Sequence, residues 1–200
     1  EEGAGADVSS ENELRLSLEM GIPGNSMVFN GNFKSTEELE LAIKNDVVIN
    51  VDNLQELKVI DSLAEKLKTR ARIGFRVNPD VRTPTHPYIA TGLRESKFGF
   101  DMSSGQALAA YRAAEGMENV EVIGVHAHIG SQILDPSPFE EEAEKLMRFV
   151  GTLKEELGIT LKFIDFGGGV GIPYRPGERE LDIEEVAERM ISKVEQIEED

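Results

Sequence analysis

The sequence predicts an α/β fold, and within that class a (β/α)8 barrel of the TIM type, on three observations. Short β-branched runs alternate strictly with amphipathic segments, which implies a parallel sheet with right-handed crossovers. Most of these runs are continuously apolar, as strands covered on both faces are. Polar residues close the runs, and barrels place their chemistry at the C-terminal ends of strands. A doubly wound sheet also satisfies the alternation. It is disfavoured because a dinucleotide fingerprint follows an early strand with GxGxxG spacing, whereas here the glycine-rich GGGVGI at 167–172 follows the last run.

Taken in order, the strand candidates are GAGADV at 3–8, MVFNG at 27–31, VVINVD at 47–52, ARIGFRVN at 71–78, VEVIGVHAH at 120–128 and LKFIDF at 161–166. The helices between them open on capping chemistry. Ser10 with Glu13, Ser35 with Glu38, Ser103 with Gln106 and Ser137 with Glu140 have the spacing in which a hydroxyl caps one N–H and the third helical residue reaches back. Pro138 then falls in a first turn, where a missing N–H costs nothing. These serines are read as helix starts. Asp7, Asn30, Asn53, Asn78, His128 and Gly167–Gly169 each close a strand candidate.

Closure of such a barrel needs eight strands, and the sequence offers about six in fewer residues than the typical ~250. The expected object is therefore an incomplete piece over residues 1–200, with its edges at 3–8 and 161–166. Unpaired backbone groups on such edges invite association with other chains. The loop from Asn78 to Phe100 is long, and three prolines at 79, 84 and 87 restrict it. Long ordered loops are usually functional, so His86, Tyr88, Arg94 and Lys97 are expected to shape the mouth or a subunit contact.

Composition narrows the function. The chain has 200 residues, is 40% hydrophobic and carries a formal net charge of −17. One substantial core is affordable at that length. The acidity excludes a nucleic-acid surface, which needs clustered Lys and Arg. Acidic helical stretches such as EEEAEKL and the terminal IEEVAERMISKVEQIEED read as solvated outer faces. No apolar stretch reaches membrane-spanning length and no signal peptide is visible, so a cytoplasmic protein without membrane contact is expected. The chain contains no cysteine, which excludes disulfides and thiolate metal sites. No metal is expected.

Three consecutive glycines weaken a strand and lose more backbone entropy on ordering than other residues. A compensating ligand explains them: an anion held by backbone N–H groups, which no Cβ then keeps at a distance. The bland alternative is a tight turn that merely redirects the chain.

RVNPDVRTPTHPYIATGLRESKFGF, VHAHIGSQI and FIDFGGGVGIPY, in this order, closely resemble the diaminopimelate decarboxylase family, pyridoxal-phosphate enzymes of the alanine-racemase-like barrel class. The likeness runs from about residue 3 to at least Tyr174. It implies that Gly167, Gly168 and Gly169 bind the phosphate of pyridoxal 5'-phosphate, that His128 lies against one face of its ring, and that Ser131 stands near the phosphate. It also implies a catalytic setting for His128 and for Asp7, the family's acidic residue at the end of its second strand. His126, on the same strand face as His128 and one step deeper, is read as filling or supporting the interior.

The resemblance further implies decarboxylation of meso-diaminopimelate to L-lysine, with a small amino acid as substrate and a homodimer as assembly. The family's covalent lysine lies in a motif like YAxKAN, and an EPGR segment follows the last strand. Neither is in this sequence, nor is a C-terminal β domain; YRPGERE stands in the wrong place. Lys34, Lys97 and Lys162 are not expected to substitute, and the 200 residues alone are expected to be inactive. Two alternatives stand beside this reading: a non-catalytic barrel piece acting as a binding or assembly module, and a related decarboxylase of a polyamine precursor.

Overall fold

The computed structural model describes residues 3–82, 98–177 and 180–198. The expectations for His86, Tyr88, Arg94 and Lys97 lie outside the described residues. Seven strands and six α-helices are found among those described, with a short 3-10 helix at Gly24–Ser26: β1 Ala6–Val8, α1 Glu11–Glu19, β2 Met27–Phe29, α2 Thr36–Lys44, β3 Val48–Val51, α3 Leu54–Leu67, β4 Ala71–Asn78, β5 Phe100–Asp101, α4 Gln106–Glu115, β6 Val120–His126, α5 Ser137–Leu157, β7 Phe163–Asp165 and α6 Ile183–Glu198.

The main sheet is parallel and its order, β1-β2-β3-β4-β6-β7, follows the chain. A doubly wound sheet reverses its order at a switch point; this one never does. The first and last strands also approach each other electrostatically. Asp7 on β1 and Asp165 on β7 feel each other's charge, and Arg76 on β4 feels both. A flat sheet would hold its outermost strands far apart, so this one curls into part of a barrel with β1 and β7 as its edges.

Each predicted strand is present: the one expected at 71–78 in full, the other five shortened at one or both ends. β5 is the addition: two residues that pair with the end of β4 through Val77–Phe100 and Asn78–Asp101. Periodicity over two residues is too short to read. What fixes the return is Gly99, whose φ of 68° suits glycine and where a Cβ would lie 2.5 Å from the carbonyl oxygen of Arg76.

Helix starts follow the capping expectation at two of four sites. Ser35 and Glu38 form the full reciprocal box. Ser10 caps α1, but the Glu13 carboxylate reaches one residue further back, accepting from the Ser9 N–H at 2.7 Å. Ser103 does not cap α4; it bonds Asp101, and Gly105 is the capping residue. Ser137 is already helical, with its N–H donated to Asp135 Oδ1, while Pro138 sits in the first turn as expected. In both failures an aspartate two residues upstream holds the serine's N–H or hydroxyl in a local turn. Asn53 is likewise a cap, accepting from the Glu56 N–H at 2.9 Å, and not a residue of the mouth.

The main core lies between the outer face of the sheet and the helices, around Phe29, Ile49, Phe75 and Tyr111. A second cluster joins Ile129, Ile133, Phe139, Leu181 and Val186 where α5 and α6 meet the end of β6. The reading of EEEAEKL as an outer face is corrected at one residue: Glu142 is fully buried. It lies three residues after Phe139 and four before Leu146, on the apolar stripe of α5.

Candidate active site

Beyond β6 and β7 the two segments continue side by side. Ala127 N–H donates to Asp165 O at 2.9 Å, Ile133 N–H to Gly169 O at 2.9 Å, and Gly171 N–H to Ile133 O at 2.8 Å. This proximity explains two of the three glycines. A Cβ at Gly167 would lie 2.5 Å from Ala127 O and one at Gly169 only 1.9 Å from Gly130 O, and both residues have positive φ, 66° and 105°. Gly168 is different. A Cβ there would meet nothing within 4 Å, so packing does not demand its bareness.

The amides of the turn are distributed unequally. Gly167 N–H donates to Asp165 Oδ1 at 2.8 Å, so this amide, expected to face an anion, is already engaged. Gly168 N–H donates to His128 Nδ1 across a long 3.3 Å. Gly169 N–H has no acceptor among the described residues. Two weakly held or open donors beside a side-chain-free surface fit an anionic group such as a phosphate. The fit is with two glycine amides and not three.

His128 is half-buried, and its pKa is pushed down to about 4 by burial, with the nearby Arg76 and His126 adding to the effect and Asp165 opposing it. The ring is therefore neutral at physiological pH. Its Nδ1 accepts from Gly168, which places the ring proton on Nε2. Ser131 is exposed, and its Cα lies 3.5 Å from where a Gly169 Cβ would stand. Thus Gly167–Gly169, His128 and Ser131 come together as the sequence suggested.

Asp7 stands exposed at the β1 edge, and Asn30 donates its amide to Asp7 Oδ1 at 2.7 Å. Surrounding protein raises the Asp7 pKa, chiefly by desolvation, against the lowering effect of the Asn30 bond. His126 is buried, with Nδ1 2.9 Å from Asp165 Oδ2, which supports its reading as an interior residue. Burial would push Asp165 up, yet the His126 contact, the Gly167 N–H and the Asn50 side chain outweigh it and hold the carboxyl low.

Arg76 anchors the interior. It is buried on β4, next to His126 in the sheet register, and faces the charges of Asp52, Asp165 and Asp7. The ring of Phe98 stacks 4.5 Å from its guanidinium, and Gly99 N–H donates to Asp52 Oδ1 at 3.0 Å. Phe98 and Gly99 thus lid the arginine and pin its counter-charge.

Neither described lysine named in the sequence reading is available as a nucleophile. Lys34 Nζ is buried and donates to Gly31 O, Asn50 O and Glu56 Oε1 at 2.7, 2.8 and 2.8 Å. Lys162 pairs with Glu121 at 2.6 Å, before the start of β7 and so at the opposite end of the sheet. Lys97 lies outside the described residues.

Sequence reasoning passed over Arg76, Asp165, Asn30 as a bonding group, Asn50 and Asp52. A signal existed for two of them. Arg76 inside ARIGFRVN and Asp165 inside LKFIDF stand among apolar residues near the strand ends, and an ion at such a position must find a partner across the sheet.

Comparison with known proteins places these features in a family. The whole chain, residues 1–200, matches the family model described as "Pyridoxal-dependent decarboxylase, pyridoxal binding domain". It is 43% identical to the diaminopimelate decarboxylase of Aquifex aeolicus over 98% of this chain and 46% of that protein. It is 48% identical to that of Methanocaldococcus jannaschii over 86% of this chain and 39% of the other. The crystal structure of diaminopimelate decarboxylase from M. jannaschii in co-complex with L-lysine superposes with a TM-score of 0.91 at 43% identity, covering 98% of this chain and 45% of that one. The Helicobacter pylori enzyme complexed with L-lysine gives 0.88 at 38% identity, over 96% and 48%. The chain spans about half the length of the curated relatives it matches.

Proposed function

The chain belongs to the pyridoxal-dependent decarboxylases as their pyridoxal-binding domain, and from that membership we propose that the whole protein decarboxylates meso-diaminopimelate to L-lysine. Support comes from the names of similar relatives and from one observation: His128 Nδ1 accepts the Gly168 N–H at the end of adjacent strands, beside an open glycine surface, where burial favours the neutral ring. A flat uncharged ring next to amide donors suits a planar cofactor with an anionic tail.

In this reading residues 1–200 are the barrel portion of the cofactor-binding domain. Gly168 and Gly169 donate backbone N–H groups to the phosphate, with Ser131 beside them, and Gly167 keeps the turn in shape through Asp165. His128 covers one face of the ring and adds no charge there. Bound pyridoxal phosphate supplies a conjugated ring that accepts the electron pair released as the carboxylate leaves. Asp7 places a carboxylate at the β1 edge, where it orients a cationic amine or its proton. The covalent lysine is neither Lys34 nor Lys162, both of which are engaged elsewhere. In this reading the protein works in the cytoplasm as a homodimer on an amino-acid substrate.

The test is a substrate panel on the full-length protein with pyridoxal phosphate. Release of CO2 and lysine from meso-diaminopimelate is expected, with ornithine and arginine turned over far more slowly. Turnover of either of those without diaminopimelate would assign the protein to the polyamine branch.

A further inference from the structure

We propose that Asn50 is a positioning residue for Asp7, acting through the amide of Asn30; this rests on the reading of Asp7 as the carboxylate of the site. Asn50 on β3 is 1% exposed and donates Nδ2 to Asn30 Oδ1 at 2.8 Å. Asn30 in turn donates Nδ2 to Asp7 Oδ1 at 2.7 Å. The two bonds form one directed chain from β3 through the end of β2 to β1.

The direction is what matters. A primary amide has a donor end and an acceptor end of nearly the same shape, so Asn30 can present either to Asp7. With its oxygen occupied by the Asn50 donor, Asn30 turns its NH2 to the carboxylate. Without that donor only the carboxylate itself orients the Asn30 amide, and the bond to the ionised form is weakened.

Asn50 is itself held in place. Lys34 Nζ grips its carbonyl at 2.8 Å, and the absence of a side chain at Gly74 makes room for its amide, since a Cβ there would lie 2.5 Å from Asn50 Oδ1. Asn50 Oδ1 is buried and has no hydrogen-bond partner among the described residues. The position of Asn50 is therefore not explained by the needs of its own oxygen. Asp7 is also faced by Arg76 from β4, His126 from β6, Asp165 from β7 and Glu13 from α1. Asn50 also bonds the Asp165 carboxylate and helps hold its pKa low, so the Asp165 midpoint is followed alongside that of Asp7 in the titration.

The test follows the Asp7 carboxyl carbon by NMR through a pH titration of the full-length protein labelled with 13C-aspartate. In Asn50→Leu the Asp7 midpoint should rise by about 0.5–1 pH unit, the size of one weakened bond to a carboxylate. An unchanged midpoint in a folded variant would overturn the proposal, because a merely structural role lowers stability without moving it. The unaltered protein, labelled with 15N-asparagine, gives the second reading and needs no variant to fold. The side-chain amides of Asn30 and Asn50 should both shift with the Asp7 midpoint; an Asn50 amide insensitive to it would also overturn the proposal. An inactive protein with these titrations intact would refute the decarboxylase reading alone.

Discussion

Gly168 donates its backbone N–H to Nδ1 of His128 over 3.3 Å, tying the turn after β7 to the ring after β6. The bond orients the imidazole beside the open surface at Gly168. It makes the glycine turn and the histidine one unit, whose parts can be separated by substitution.

The glycines separate packing from binding. Gly169→Ala should destabilise the full-length protein by about 1–3 kcal/mol, since the new methyl collides with Gly130 O in a left-handed conformation. Gly168→Ala has open space for its methyl and should leave stability within about 0.5 kcal/mol. It should nonetheless weaken pyridoxal-phosphate binding about tenfold or more by filling the surface an anion would approach. Cofactor titration followed by absorbance checks this; unaltered affinity in Gly168→Ala would argue for a simple turn.

His128 makes stability pH-dependent in a defined window. The unfolded ring titrates near 6.5 and the folded one at about 4. Between these values the unfolded state binds a proton that the folded state refuses, so stability falls as pH drops from about 6.5 toward 4. Urea denaturation of the full-length protein should show His128→Gln losing less stability than the unaltered protein over this range. Parallel losses would contradict the depressed pKa.

Glu142 acts in the opposite direction. Burial raises its carboxyl well above the usual value, with the charge of Asp165 adding to it, and neither oxygen has a partner among the described residues. The folded state keeps its proton while the unfolded state loses it above about 4.5, so the residue costs stability increasingly as pH rises. Glu142→Leu should stabilise the protein at pH 7 by about 1–3 kcal/mol and by less at pH 4. Denaturation at the two pH values measures the difference.

The buried pair of Lys34 and Glu56 is expected to be structural. Lys34→Met strands a buried carboxylate and should cost about 3–5 kcal/mol, whereas Lys34→Met with Glu56→Leu should recover most of it. Borohydride treatment of the full-length protein with pyridoxal phosphate should label neither Lys34 nor Lys162. Peptide mapping of the labelled site checks this.

Much of this architecture was legible because burial on both faces leaves continuous apolar runs and because caps have fixed spacing. The glycine turn, His128 and Ser131 announced themselves by motif. Asn30, Asn50, Asp52 and Arg76 did not, since each matters only through partners on other strands, and strand order is what brings them together. Ser103 and Ser137 misled for a local reason: a preceding aspartate competed for the same groups. Glu142 hid within a run of glutamates whose other members are not buried.

The most direct measurement is a crystal structure of the full-length protein with pyridoxal phosphate. The phosphate should lie within about 2.7–3.2 Å of the N–H of Gly168 or Gly169, with the ring against His128. A phosphate bound away from this turn, or a ring that leaves His128 uncovered, would contradict the account.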